Sequence, residues 1–146
     1  MYEVLSGTSF FCYNQAMTRK DVETRLSELG IYNQYYYRKE LKLLGNILNI
    51  DETLNCVFTG LNSGMRRLVA ITDFRIIIIG APSLGTPEIK YVRRKGIKSY
   101  NFSKKFFVSK VVFSTEESTF EFNQVQRAIC KLFNWAMEQP VKEYDE

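Results

Sequence analysis

Hydrophobic positions in the first third of the chain recur at helical spacing. Val22, Leu26 and Leu29 follow one another at intervals of four and three residues, which places them on one face of a helix. Gly30 comes next and favours the end of that helix, because glycine readily adopts the left-handed conformation of a C-cap. The run T-R-K-D from Thr18 matches a capping box with aspartate in place of glutamate. We therefore predict a first helix that begins near Thr18 and ends at Gly30.

A second helix is predicted from Asn33 to about Leu48. Its apolar residues form one stripe at helical spacing, which comprises Tyr37, Leu41, Leu44 and Leu48. The two helices together form a helical lead-in to the rest of the chain.

From Asp51 onward the pattern changes to short segments with alternating apolar and polar positions or with β-branched and aromatic residues. The predicted strands are Leu54–Thr59, Met65–Thr72, Arg75–Ile79, Glu88–Arg94, Lys98–Phe102, Phe106–Phe113 and Ser118–Phe122. Turn-forming residues separate them, among them Gly64, Asp73, Pro82, Pro87 and Gly96.

The last predicted element is an amphipathic helix from about Asn123 to Gln139, which Pro140 ends. Its apolar face comprises Val125, Ile129, Leu132, Phe133, Ala136 and Met137. A helix of this kind can cover apolar surface that the strands leave exposed. The sequence thus predicts an α+β protein with three parts: an N-terminal extension and helical lead-in (1–50), a seven-stranded barrel with its C-terminal helix (51–140), and a short polar tail (141–146).

The composition narrows the function classes. The longest apolar run, Ile76 to Pro82, is far shorter than the roughly 20 residues that a membrane-spanning helix needs, and the N-terminus lacks the pattern of a secretory signal. We therefore expect a cytoplasmic protein. Histidine is absent, so Ser-His-Asp and Cys-His catalysis are excluded. The three cysteines are widely separated and lack the spacing of metal ligands. We expect no metal, no cofactor and no catalytic residue.

The glycine-bounded stretch R-I-I-I-I-G-A-P-S-L-G-T, from Arg75 to Thr86, has the outline of a phosphate-binding loop. A P-loop, however, needs a lysine after its second glycine and a helix beyond it. Thr86 follows Gly85 directly, and the residues from Pro87 onward alternate like a strand. We interpret this stretch as a connection between two strands.

The segment R-R-L-V-A-I-T-D-F-R-I-I-I-I, from Arg66 to Ile79, resembles the central hairpin of bacterial pleckstrin-homology-like (PH-like) domains, specifically the YokE-like group. That group has an apolar strand, a T-D-x-R-[LI] turn and a second apolar strand. The helical lead-in, the next strand and the terminal helix are similar too, so that the resemblance covers roughly Thr18 to Glu138. It implies a PH-like barrel that the C-terminal helix caps, and a non-catalytic binding function.

The resemblance does not by itself identify a ligand. Some eukaryotic relatives bind inositol phosphates through basic residues of the first hairpin loop. Here that loop, Gly60 to Arg67, carries two arginines and no lysine, whereas a phosphoinositide headgroup is bound by several convergent cations. The resemblance also implies that the T-D-x-R residues, Asp73 and Arg75, stabilise the turn.

The strongest electrostatic feature is the basic segment from Lys90 to Lys110. It contains eight cations and no acid, while the whole chain carries +4, so the remainder sums to −4. Its candidate partner-binding residues are Arg93, Arg94, Lys95, Lys98, Lys104 and Lys105. Three interpretations stay open: a solvated edge that discourages strand pairing, a protein-binding surface, or a surface for nucleic acid or anionic membrane headgroups.

The run I-Y-N-Q-Y-Y-Y is too dense in aromatics for every ring to be buried on one helix face. Exposed tyrosines favour interfaces, so we add Tyr35, Tyr36 and Tyr37 to the candidate binding residues. The alternative is that these rings pack the lead-in against the barrel.

The resemblance implies a binding module of bacterial or phage origin, and together with the features above it leads us to expect a cytoplasmic regulator or inhibitor of another protein. The alternative function is peripheral binding of anionic membrane headgroups or nucleic acid through Lys90–Lys110. Self-association through an exposed strand edge also stays open.

Overall fold

The structure, a computed structural model, describes residues 19–31, 39–82 and 84–142. These residues divide into two compact units, of which the first ends at Thr53 and the second runs from Leu54 to Lys142.

The first unit contains two helices that contact each other, α1 (Arg19–Glu28) and α2 (Lys39–Ile47). The predicted end of α1 is confirmed. Gly30 has φ of +80°, its N–H donates to Ser27 O, and Ile31 N–H donates to Leu26 O at 2.9 Å. This pair of bonds is a Schellman motif, which satisfies carbonyls at the end of the helix. The predicted cap at Thr18 and the predicted start of the second helix at Asn33 lie outside the described residues.

The second unit consists of seven strands and a C-terminal helix. Its elements are β1 (Leu54–Asn62), β2 (Met65–Thr72), β3 (Arg75–Gly80), β4 (Glu88–Arg93), β5 (Ser99–Lys104), β6 (Ser109–Ser114), β7 (Thr119–Val125) and α3 (Cys130–Glu138). Each pair of neighbouring strands is antiparallel, in the order β4-β3-β2-β1-β7-β6-β5. The seven predicted strands and the C-terminal helix are present, but the strands do not close into a barrel, because β4 and β5 remain the two edges of an open sheet.

The central hairpin forms as predicted. β2 pairs with β3 from Leu68–Ile79 to Ile71–Ile76, around the turn that contains Asp73. β3 is buried from Ile76 to Gly80, as expected for a run of isoleucines in the middle of a sheet. After Gly80 the chain leads into β4, so the glycine-bounded stretch is a strand-to-strand connection.

Several element boundaries differ from the prediction. The largest differences are that β1 continues beyond Thr59 to Asn62, β6 begins at Ser109 rather than Phe106, β7 continues beyond Phe122 to Val125, and α3 begins at Cys130 rather than Asn123. Val125 lies in β7 instead of the helix, and a short 3₁₀ turn, Arg127–Ile129, connects the two. A buried valine satisfies either periodicity, so the pattern alone does not place this boundary.

Aromatic rings form the core between the sheet and α3. Phe133 of α3 packs edge-on against Phe58, with ring centroids 5.9 Å apart, and Phe58 in turn packs against Phe122. On the other side Phe133 contacts Tyr100 and Phe102 of β5. The predicted covering of the strands by the C-terminal helix is confirmed.

Candidate partner-binding surface

The turn between β2 and β3 is held by Thr72. Its hydroxyl oxygen accepts hydrogen bonds from the backbone N–H groups of Phe74 and Arg75, at 3.0 and 2.9 Å, while the hydroxyl donates to Arg75 O. The Arg75 guanidinium lies over the ring of Tyr91, 4.9 Å from its centroid. These contacts stabilise the hairpin and fix the position of β4 beside it.

Arg94 differs from the other predicted cations of the site because it is only 5% exposed. Its guanidinium donates to three backbone carbonyls, Thr72 O at 3.1 Å, Met137 O at 2.8 Å and Gln139 O at 3.1 Å. Burial lowers the pKa of Arg94, and the charge of Asp73 partly offsets that effect. Arg94 thus joins the β2–β3 turn to the end of α3, and its side chain is turned away from solvent.

The remaining predicted cations are exposed and fall into two clusters. Arg93, Lys95 and Lys98 lie at the connection from β4 to β5, whereas Lys104 and Lys105 lie at the far end of β5. The six residues of β5 separate the clusters by roughly 20 Å of extended chain. These five candidate cations therefore belong to two separate parts of the surface. Tyr35, Tyr36 and Tyr37 lie outside the described residues.

A groove of about 430 Å³ lies beside the first cluster. One wall is formed by β4 and the residues after it, and the other by the β6–β7 turn and the start of β7. We call it the β4 groove; its main side chains are Lys90, Tyr91, Arg93, Lys98, Glu116 and Phe120. Because the sheet does not close, β4 borders the groove as an edge strand, which can accept another strand.

The β4 groove combines cations, exposed aromatic surface and carboxylates. Tyr91 is half exposed, and the ammonium of Lys90 lies 5.8 Å from the ring centroid of Phe120 on the opposite wall. Lys98 Nζ lies 4.0 Å from Glu116 Oε2, and both side chains are largely solvent-exposed. Contacts of this kind between exposed groups are weak, so a ligand can displace them at little cost.

Tyr91 and Phe120 become candidate binding residues only because the folded structure places both of them in the β4 groove. Tyr91 lies within the basic segment, but Phe120 is far along the chain and is an ordinary strand residue by its pattern. The strand order brings them to the same groove. No pattern in the sequence could have selected Phe120.

A second groove, of about 380 Å³, lies between the start of β5 and the end of α3. It is lined by Arg94, Ile97, Lys98, Ser99, Tyr100, Met137 and Val141. Lys98 borders both grooves, so a ligand that extends from one into the other would pass this residue.

Within residues 19–31, 39–82 and 84–142, no cluster of histidine, cysteine, aspartate or glutamate could hold a metal ion. Over the same part of the chain, no helix is long and apolar enough to cross a membrane.

Comparison with known proteins identifies one family. The family model for the bacterial PH domain matches residues 48–136, which is more than half of the chain. Among curated proteins none matches.

Proposed function

The chain belongs to the bacterial PH domain family, and we propose that it is a non-catalytic module that binds another protein in the β4 groove. Domains with a PH-like fold generally serve as binding modules, which supports this function class. In finer detail we propose a YokE-like member of the family that acts in the cytoplasm of a bacterium, or of a phage-infected cell, as a regulator or inhibitor of its partner.

The observation that carries the proposal is an edge strand beside an open groove. β4 pairs with β3 from Arg75–Arg93 to Gly80–Glu88, and its other side borders the groove. An extended segment of a partner could add to this edge through backbone hydrogen bonds, while its side chains enter the groove. Backbone pairing supplies affinity, and the lining side chains supply specificity.

The lining favours a partner segment that is acidic and contains at least one apolar residue. Lys90, Arg93 and Lys98 present positive charge, and the rings of Tyr91 and Phe120 offer apolar surface between them. Exposed tyrosine and arginine are enriched where proteins bind one another. The carboxylates of Glu116 and Glu117 at one end would repel an acidic segment there, which sets its position along the groove.

Binding without chemistry is the simplest use of this groove. Glu116 and Glu117 are both exposed in a turn, and Lys98 lies close to Glu116. Solvated carboxylates of this kind lack the apolar surroundings that tune a general acid or base.

The test is a nuclease-treated pull-down from the native host with three versions of the chain, read by mass spectrometry. The groove variant is Arg93→Gln/Lys98→Gln. The matched control is Lys131→Gln, which removes an exposed cation from α3. We expect one protein to be captured by the wild type and by the control, and to be lost with the groove variant.

The captured partner is then titrated against the purified chain to measure its Kd. Loss of two interface cations should weaken binding about tenfold or more and make it less sensitive to salt. Equal binding by wild type and groove variant would contradict the proposed site. The absence of any specific protein from the wild-type sample would contradict protein binding itself.

A further inference from the structure

The β5–β6 turn exposes the two most solvent-accessible aromatic side chains among the described residues. Phe106 and Phe107 are 81% and 80% exposed, and the neighbouring Val108 is 42% exposed. The N–H of Lys105 donates to Val108 O at 2.9 Å, so the two phenylalanines are the central residues of the turn. Such positions ordinarily carry glycine, asparagine, aspartate, proline or serine.

These two rings do not contribute to the core that the other aromatics build. Their centroids are 4.4 Å apart in an edge-on arrangement, at the tip of the hairpin. The core phenylalanines, by contrast, are fully buried at Phe58, Phe113, Phe122 and Phe133. Folding therefore does not explain the rings of the turn, and contiguous exposed apolar surface of this kind marks an interaction site.

Positive charge surrounds the base of the tip. Lys104 and Lys105 precede the phenylalanines and are exposed. Arg127, distant in the sequence, is brought to the same place, because its Nη1 donates to Phe106 O at 3.2 Å. From Ile89 to Thr115 the chain contains no acidic residue.

We propose that this hairpin tip, Lys104 to Val108, docks the protein on an anionic lipid bilayer. A convex pair of rings needs no complementary pocket in a bilayer, since the acyl boundary accepts apolar groups of any shape. When the rings enter that boundary, Lys104, Lys105 and Arg127 lie at the level of the lipid phosphates, which attract them. The tip thus combines the apolar and the electrostatic contributions that reversible membrane attachment requires.

The membrane tip is separate from the β4 groove. Lys98, at the groove, and Lys105, at the tip, lie at opposite ends of β5, roughly 23 Å of extended chain apart. A variant of one surface therefore leaves the other intact, and the two proposals can fail independently.

Each contribution predicts a measurable change in binding. Transfer of a phenylalanine ring out of water favours binding by a factor of about ten or more, and a cation at an anionic surface by about fivefold. Two rings and three cations give attachment on the order of that of a single acyl chain, which is weak and reversible.

The experiment is co-sedimentation of the purified full chain with vesicles. One set is pure phosphatidylcholine, and the other contains about one-third phosphatidylglycerol. We expect the wild type to sediment with the anionic vesicles alone. Phe106→Ser/Phe107→Ser should weaken that binding about a hundredfold or more, and Lys104→Gln/Lys105→Gln about twentyfold.

The matched control is Leu84→Ser. Leu84 is 89% exposed in the loop between β3 and β4, so the change removes a similarly exposed apolar side chain that is not part of the tip. This variant should bind the anionic vesicles as the wild type does. Thermal unfolding of each variant confirms that its fold is intact.

Three results would overturn the proposal: a wild type that stays in the supernatant with anionic vesicles, equal sedimentation with both vesicle types, or binding that survives the loss of both phenylalanines. Loss of binding in Leu84→Ser would also contradict it, because the attachment would then not be specific to the tip.

Discussion

The Arg94 guanidinium donates to the carbonyl oxygen of Met137 at 2.8 Å, across 43 residues of sequence. The contact ties the connection between the two edge strands to the end of α3. In the sequence Arg94 is one cation among eight in a basic segment, and nothing in that pattern distinguishes it from Arg93 or Lys95. Its neighbours are exposed, whereas Arg94 holds the unit together.

Replacing Arg94 should destabilise the fold strongly. Arg94→Ala leaves the carbonyl oxygens of Thr72, Met137 and Gln139 without this donor and should lower the free energy of unfolding by about 3 kcal/mol. Arg94→Lys keeps the charge, but the lysine ammonium lacks the planar group that lets arginine donate to three acceptors. We therefore expect the free energy of unfolding to fall by about 2 kcal/mol. Urea denaturation measures both.

Lys131→Gln is the control for that series, since this side chain is exposed on α3, and its free energy of unfolding should match the wild type within about 0.5 kcal/mol. If Arg94→Ala were as stable as this control, the guanidinium contacts would contribute nothing to folding.

Gly60 should not tolerate alanine. A Cβ at this position of β1 would lie 2.9 Å from Val125 Cγ2 and 3.1 Å from Asn123 O, where β7 crosses close to β1. One of these neighbours is backbone and cannot move easily, so Gly60→Ala should lower the free energy of unfolding by about 2 kcal/mol. Thermal and urea unfolding test this.

A matched substitution is Gly96→Ala, because a Cβ there meets no atom within 4 Å. This variant should be unchanged or more stable by up to about 1 kcal/mol, through the lower entropy of its unfolded chain. Equal losses at both glycines would show that the close approach of β1 and β7 is not the cause.

Cys56 should be inert in the folded protein. Its side chain is fully buried, and burial raises the pKa of its thiol far above the ordinary value, so the reactive thiolate does not form at neutral pH. Cys130 is only partly buried. Alkylation followed by peptide mass spectrometry should show Cys130 modified at least about a hundredfold faster, with Cys56 reacting once urea unfolds the chain. Similar rates in the absence of urea would contradict the buried position of β1.

The carboxyl of Glu88 should titrate below its ordinary pKa of 4.5, because Arg67 hydrogen-bonds to it and attracts its charge. A carboxyl whose pKa is lowered by folding stabilises the folded state above the pKa of the unfolded chain. That stabilisation is lost as the pH falls through the folded pKa. In Arg67→Gln the pKa of Glu88 should rise toward 4.5, which carbon-detected NMR titration measures. An unchanged pKa in this variant would contradict the role of Arg67.

Local structure was largely predictable where short-range chemistry determines it. Gly30 ends α1 through its positive φ, and β2 and β3 lie where alternation and the Thr72-Asp73 turn predict them. The boundaries of elements were less predictable where the same residue fits both a helical and a strand pattern. Val125 fits the apolar face of a helix and also the interior of β7, and in the folded protein it pairs with Ser109 of β6.

The candidate site was predictable only in part. Exposed cations at Arg93, Lys95 and Lys98 follow from the sequence, because a dense run of charge cannot be buried. Arg94 is the exception in this run. It is buried because residues far along the chain supply the carbonyl oxygens to which its guanidinium donates. The clustering of Arg127 with Phe106 has the same origin, since a pair more than 20 residues apart meets only after the sheet has formed.

By itself the sequence determined the helices, the strands and the turns, because these depend on neighbours within a few residues. It also determined the charge distribution, in which a basic segment contrasts with an acidic remainder. The tertiary structure decided that the sheet stays open and that the basic segment divides into a groove and an aromatic tip. Edges, grooves and buried cations depend on which distant strands lie side by side, and the pairing of strands is a property of the whole folded unit.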